Sequence, residues 1–124
     1  MDIDSLFTAD IHDEGAEMQV YDQFNNPTEM YIRLAGQDSE IWQKASRERS
    51  KRALKQLVSK EIVSDDDTEI DEMVNASLGW RGFEQDNKEM VFSKGAIKQL
   101  YAKAPYIKDQ AILFVNNRAN FIKS

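Results

Sequence analysis

Apolar and polar residues alternate in two segments near the start of the chain, residues 17–22 and 28–34. The apolar positions that share a face are Met18 and Val20 in the first segment and Met30, Ile32 and Leu34 in the second. A period of two is typical of β-strands with one buried face. Residues 24–27 between them are rich in turn formers, so the pattern predicts an antiparallel hairpin.

The hairpin is followed by a segment whose composition favours a long helix. Asp38 is its predicted N-cap, and the helix extends to Lys60. Its apolar residues lie at the two ends, whereas residues 46–52 are wholly polar and are either exposed on every side or in contact with a partner. After a polar break at residues 64–67, Thr68 starts a predicted short helix that ends at Gly79.

Two further helices are predicted toward the end of the chain, beginning at Ser93 and at Pro105. The apolar stripe of the first of these is Ile97, Leu100, Tyr101 and Ala104. Residues 82–91 are polar and predict a loop or a ragged hairpin. The fold class is therefore α+β, mainly α, with an N-terminal two-stranded β-hairpin followed by about four helices.

A length of 124 residues fits one domain. Residues 1–16 show no sustained period and are interpreted as a flexible acidic arm, leaving residues 17–124 as a single domain. No apolar run is long enough to span a bilayer, the first residues lack the features of a signal peptide, and cysteine is absent. These observations favour a soluble intracellular protein without disulfides or membrane contact.

The net charge of −6 conceals blocks of opposite sign. Acids dominate up to residue 40 and again in residues 61–86, whereas bases dominate residues 44–60 and the segment after residue 90. The bases of the long helix that are candidates for partner contacts are Arg47, Arg49, Lys51, Arg52 and Lys55. They form a solvated face or a protein-docking surface, and nucleic-acid binding is less favoured because the chain as a whole is acidic.

Catalytic and metal-binding groups are scarce. His12 is the only histidine, so a catalytic triad or a histidine-rich metal site lacks its parts, and we expect His12 to be a solvated surface residue. Three consecutive acids, residues 65–67, lack the alternating ligands of a calcium loop, and the glycines form no phosphate-binding motif. No enzyme activity, metal or cofactor is expected.

Aromatic residues concentrate in residues 80–121. Phe92, Tyr101 and Phe114 are expected in the core, because aromatic side chains dominate small cores. Phe121 and Ile122 lie beyond the last helical stripe, where packing and partner docking are equal alternatives.

The order of turn and helix-start residues in this region resembles that of a known family. Its motifs are Trp80-Arg81-Gly82-Phe83, Val91-Phe92-Ser93, the proline at 105 and Arg118-Ala119-Asn120-Phe121, with a weaker match at Gly36-Gln37-Asp38-Ser39. Their order is similar to that in the tail assembly chaperones of long-tailed, siphovirus-type bacteriophages. Together the motifs frame residues 30–121.

The resemblance implies a chaperone of virus tail assembly that binds the tape-measure protein, keeps it soluble and helps to recruit tail-tube subunits. It implies a short form, beside a longer form made by ribosomal frameshifting that contacts the major tail protein, and it allows homo-oligomers. It also implies action in the host cytoplasm and absence from the mature virion. The expected contact residues are the five bases above, Phe121 and Ile122. The alternative is an acidic phage regulator that acts on nucleic acid or mimics DNA.

Overall fold

The computed structural model describes residue 3, residues 9–59 and residues 65–121. Its helices are α1 (Ala9–Glu14), α2 (Glu40–Ser59), α3 (Asp65–Ala76), α4 (Lys94–Lys103) and α5 (Pro105–Asn116), followed by a 3-10 helix (Arg118–Phe121). Its strands are β1 (Ala16–Tyr21), β2 (Pro27–Leu34), β3 (Ser77–Arg81), β4 (Glu84–Gln85) and β5 (Lys88–Glu89). The predicted α+β class is confirmed, with the N-terminal hairpin preceding the long helices.

The predicted hairpin is the first part of a three-stranded antiparallel sheet in the order β1-β2-β3. Met18 lies opposite Ile32, and Ile32 lies opposite Trp80 on the third strand. The alternating apolar face is buried as predicted, except that Met30 is only half-buried. The sheet therefore presents one apolar face to the helices.

The third strand was not predicted. The apolar spacing of the short helix continues through Ser77 and Leu78, but α3 ends at Ala76, and Gly79 lies within β3 rather than at the end of a helix. Pairing with β2 ends the helix, because the Ala35 N–H donates to the Ala76 carbonyl at 2.8 Å and the ladder continues from there.

Two predicted helix starts are also wrong. Ser39, not Asp38, occupies the cap of α2, since its hydroxyl accepts from the Trp42 N–H at 3.3 Å. The acids at 65–67 are helical and form the first turn of α3, so they are no break and Thr68 is not a cap.

The later part of the chain follows the prediction more closely. Ser93 caps α4 by accepting from the Ala96 N–H at 3.0 Å, and Pro105 begins α5. Residues 84–89 form the ragged hairpin, in which two paired strands of two residues each flank a turn. The core between the sheet and α3, α4 and α5 contains Val20, Ile32, Leu34, Met73, Ile97, Tyr101, Ile107, Ala111 and Val115.

The expectation of a flexible arm is wrong for residues 9–14, which form α1, and the expectation of a solvated His12 is wrong as well. His12 is 1% exposed, and its Nδ1 accepts from the Asp38 N–H at 3.0 Å. Its ring stacks on Phe121 with centroids 4.8 Å apart. The interaction ties α1 to the start of α2 and to the 3-10 helix. Of residues 1–8 the structure describes only Ile3.

Among the described residues, no helix is both long enough and apolar enough to cross a membrane.

Candidate partner-binding surface

The long helix α2 has an inner side that packs on the protein and an outer side that does not. Near its start, Ile41, Trp42 and Ala45 are half-buried, and the Trp42 Nε1–H donates to the Ala35 carbonyl at 2.9 Å. Beyond Ala45 almost every described side chain of the helix is exposed. The helix is thus anchored by its first turns and projects its later turns along α3.

Two of the predicted contact residues lie on the inner side of α2. Arg49 Nε lies 3.2 Å and Arg52 Nη2 3.9 Å from the Glu72 carboxylate of α3, and Arg52 also donates to the Thr68 hydroxyl at 3.1 Å. Glu72 is only 13% exposed, and this burial raises its pKa, although the two arginines oppose the shift. Arg49 and Arg52 therefore brace α2 against α3.

The outer side of α2 carries a line of exposed bases, the basic stripe, formed by Lys44, Arg47 and Lys51. Arg47 and Lys51 follow Lys44 by three and seven residues, a spacing that places all three on one helix face. Arg47 contacts Glu40 at 3.4 Å, but both side chains are more than half exposed, so the pair contributes little. Within the described ranges no acid pairs with Lys44 or Lys51. Lys55 lies farther along the same side.

Beside the basic stripe lies an apolar patch formed by Leu54, Leu57 and Val58, which are 64%, 81% and 87% exposed. The three residues occupy positions i, i+3 and i+4 and therefore share one face. Large apolar side chains that cluster on a surface are typical of protein-contact sites. The patch and the stripe together give the outer side of α2 an apolar and cationic character.

The patch was absent from the sequence-based contact residues, although the sequence contains a signal for it. Leu54 follows Ile41 by thirteen positions, which at 3.6 residues per turn rotates it by about 220° around the helix. The two apolar ends of α2 therefore face nearly opposite directions, and only one of them can meet the core. Two separate apolar stripes on one helix predict that one of the stripes is exposed.

The predicted alternatives for Phe121 are resolved in favour of packing. Phe121 is 2% exposed between His12 and Phe114, and its ring lies 5.5 Å from that of Phe114. Arg118 supports the turn by donating to Asp38 at 2.9 Å. Phe121 is thus not part of an exposed docking surface, and Ile122 lies outside the described residues.

A cavity of about 740 Å³ separates α2, α3 and α4, and two lysines of α4 that line it, Lys94 and Lys98, have partners within the protein. Lys98 pairs with Asp71 at 3.3 Å. Lys94 Nζ donates to the Val74 and Ser77 carbonyls at 3.0 and 2.7 Å, and burial lowers its pKa. These two lysines therefore connect α4 to the end of α3 and the start of β3.

Across residue 3, residues 9–59 and residues 65–121, no group of three or more His, Cys, Asp or Glu side chains is placed to hold a metal ion. No family model matches the sequence, and comparisons with curated proteins and with solved structures found no match to it.

Proposed function

We propose that this chain is a phage tail assembly chaperone, which binds the tape-measure protein and keeps it soluble through the outer side of α2. The observation that carries the proposal is the apolar patch, whose three side chains are each more than half exposed. The order of motifs between residues 80 and 121 supports the choice of family. Binding does not require catalytic groups.

The mechanism is that of a holdase. A long helical client exposes apolar stripes before it is assembled, and each stripe associates with others at high concentration. Covering a stripe with Leu54, Leu57 and Val58 removes apolar area from water, at roughly 25 cal/mol per Å². Because a chaperone that binds the unassembled client lowers its free concentration, aggregation falls by mass action. Many weak sites along one client then act together.

The charges around the patch add selectivity. The basic stripe attracts acidic flanks on the client and repels basic ones, which affects the association rate and the choice of partner more than the affinity. In the proposed role, the chain acts in the host cytoplasm, a longer frameshifted form recruits the major tail protein, and neither form remains in the mature virion.

The test is co-expression with the tape-measure protein encoded in the same genome, followed by centrifugation and pull-down at low salt. We expect the client to remain soluble and to be retained by the chain. Failure of the unaltered chain to bind or solubilise this client would overturn the proposal.

A triple variant locates the binding surface. Replacing Leu54, Leu57 and Val58 by Gln keeps helix-favouring side chains while removing the exposed apolar groups. The matched control is Leu113→Gln, because Leu113 of α5 is 72% exposed but lies on another helix. We expect the triple variant to lose client solubilisation and the control to retain it. Equal loss in both would mean that exposed leucines act without regard to position.

The basic stripe favours a second candidate, an acidic phage regulator that acts on nucleic acid. Lys44, Arg47 and Lys51 are exposed on one side of a helix, as phosphate-binding residues are. Three phosphate contacts predict that the logarithm of the affinity for duplex DNA falls with the logarithm of salt at a slope of about −3. A gel shift with that slope would favour this candidate, and inhibition of a DNA-binding enzyme would favour the DNA-mimic variant of it.

A further inference from the structure

The short β4–β5 hairpin follows β3 directly and is held by contacts at its base. Its base is held by Trp80, whose ring stacks on Phe83 at 4.5 Å and whose Nε1–H donates to the Met90 carbonyl at 2.9 Å. The Met90 N–H in turn donates to the Phe83 carbonyl at 2.8 Å. Its turn is Asp86-Asn87, and both residues have positive φ, 55° and 66°, as a tight two-residue hairpin turn requires. A loop fixed in this way loses little entropy when it binds.

One face of this hairpin carries two exposed glutamates. Glu84 lies directly opposite Glu89, and Gln85 lies opposite Lys88. Side chains alternate between the faces of a strand, so Lys88 is on the other face from the two glutamates. Like charges directly opposite one another destabilise a ladder, and both glutamates are exposed. A cationic partner placed over this face would relieve the repulsion.

The outer side of α2 has the complementary character. Its basic stripe has the opposite sign, and Lys44 and Lys51 have no acidic partner in the described part of the chain. The stripe extends over about 10 Å, seven residues at 1.5 Å each. Opposed glutamates have Cβ atoms about 5 Å apart, so both fit within that length. Pairing of α2 with α2 of a second copy would instead bring like charges together.

We propose that the acidic face of the β4–β5 hairpin of one copy binds the basic stripe on α2 of a second copy. The contact is heterologous, because the two surfaces differ, and each added copy leaves one hairpin and one stripe available. Such contacts produce open chains or closed rings rather than two-fold symmetric dimers. The inference does not depend on the proposed function, since it uses the basic stripe and the hairpin, not the apolar patch.

The test uses two charge-reversal variants, Arg47→Glu with Lys51→Glu on the stripe, and Glu84→Lys with Glu89→Lys on the hairpin. All four positions are exposed, and circular dichroism verifies that each variant is folded. Sedimentation velocity at low salt measures self-association. We expect concentration-dependent association of the unaltered chain that is lost at high salt, because exposed charge pairs are screened. Each variant alone should associate at least about tenfold more weakly.

Mixing the two variants gives the decisive result. The reversed stripe of one variant meets the reversed hairpin of the other, and the remaining unaltered stripe and hairpin also meet, so association should return to the level of the unaltered chain. A hairpin variant that associates as strongly as the unaltered chain would overturn the proposal. So would a mixture that stays dissociated, or an unaltered chain that is monomeric at low salt.

Discussion

The buried hydroxyl of Tyr101 allows a quantitative test of the core. Tyr101 is fully buried, and its hydroxyl lies 2.8 Å from the Ser77 hydroxyl. The Ser77 hydroxyl also lies 2.7 Å from the Met73 carbonyl, to which it donates. The tyrosine therefore donates to Ser77. Ionisation would place an unsolvated phenolate in the core and remove that donor.

Burial raises the pKa of Tyr101 to about 12. A folded-state pKa above the unfolded value of about 10 means that the folded chain holds the proton more tightly. The corresponding stability is fully present below about pH 10 and is lost as the pH rises through about 12. Two pKa units correspond to about 2.7 kcal/mol, of which about 2 kcal/mol is lost by pH 12, where the folded-state tyrosine is half ionised.

The perturbation is Tyr101→Phe, which keeps the ring and removes the ionisable group. At neutral pH we expect the variant to be less stable by about 1 kcal/mol, the value of one buried hydrogen bond whose other partner still donates to Met73. Near pH 12 we expect the order to reverse by a similar amount. Other tyrosines and lysines titrate in the same range, but they contribute equally to both chains and cancel in the difference.

The assay is urea unfolding of both chains, followed by circular dichroism, at several values between pH 7 and pH 12. A stability difference that stays constant across this range would refute the reasoning, because it would mean that Tyr101 ionises in the folded chain as easily as in the unfolded one.

Three further predictions concern the packing of the fold. His12→Ala should reduce the free energy of unfolding by about 2–4 kcal/mol, because it empties a buried site beside Phe121 and leaves the Asp38 N–H without its acceptor. Urea unfolding measures the loss. A loss below about 0.5 kcal/mol, which is the range of an ordinary surface substitution, would contradict the burial of His12. Gly82→Ala should cost at least about 1 kcal/mol, since Gly82 has a φ of +82° and the Glu29 carbonyl occupies the space of a Cβ. Gly95→Ala, its matched control in α4 with open space around the site, should stabilise the chain by up to about 1 kcal/mol, and thermal unfolding that ranks the two glycine variants the other way would be contrary to both expectations.

The parts of the fold that the sequence predicts are those set by neighbouring residues. The β1–β2 hairpin, the cap at Ser93 and the start at Pro105 each depend on side chains within a few positions of one another. β3 depends instead on β2, more than forty residues earlier in the chain, and its five residues are too few to show a period. The apolar spacing of α3 continues into β3, so the sequence does not show where the helix ends and the strand begins.

His12 shows the same limit for a single residue. An isolated histidine between acids has the local surroundings of a surface residue, and nothing nearby in the sequence indicates burial. The partners that enclose it, Asp38 and Phe121, come from the start of α2 and from the 3-10 helix. Packing partners distant in the chain thus reversed the expectation for His12, and for Phe121 they favour packing over docking.

The sequence predicted contact residues on α2 but did not show which side of the helix each of them occupies. Composition identified the bases of α2, yet it could not separate Arg49 and Arg52, which pair with Glu72, from Arg47 and Lys51, which face outward. The division of these bases between the inner and outer sides of α2 affects how firmly the helix is held. Because the inner arginines pair with Glu72 of α3, they hold in place the helix that carries the outer side. A variant that breaks the Glu72 contacts should therefore weaken partner binding indirectly, by loosening the helix, whereas changes to the basic stripe should alter binding while leaving the stability of the fold unchanged.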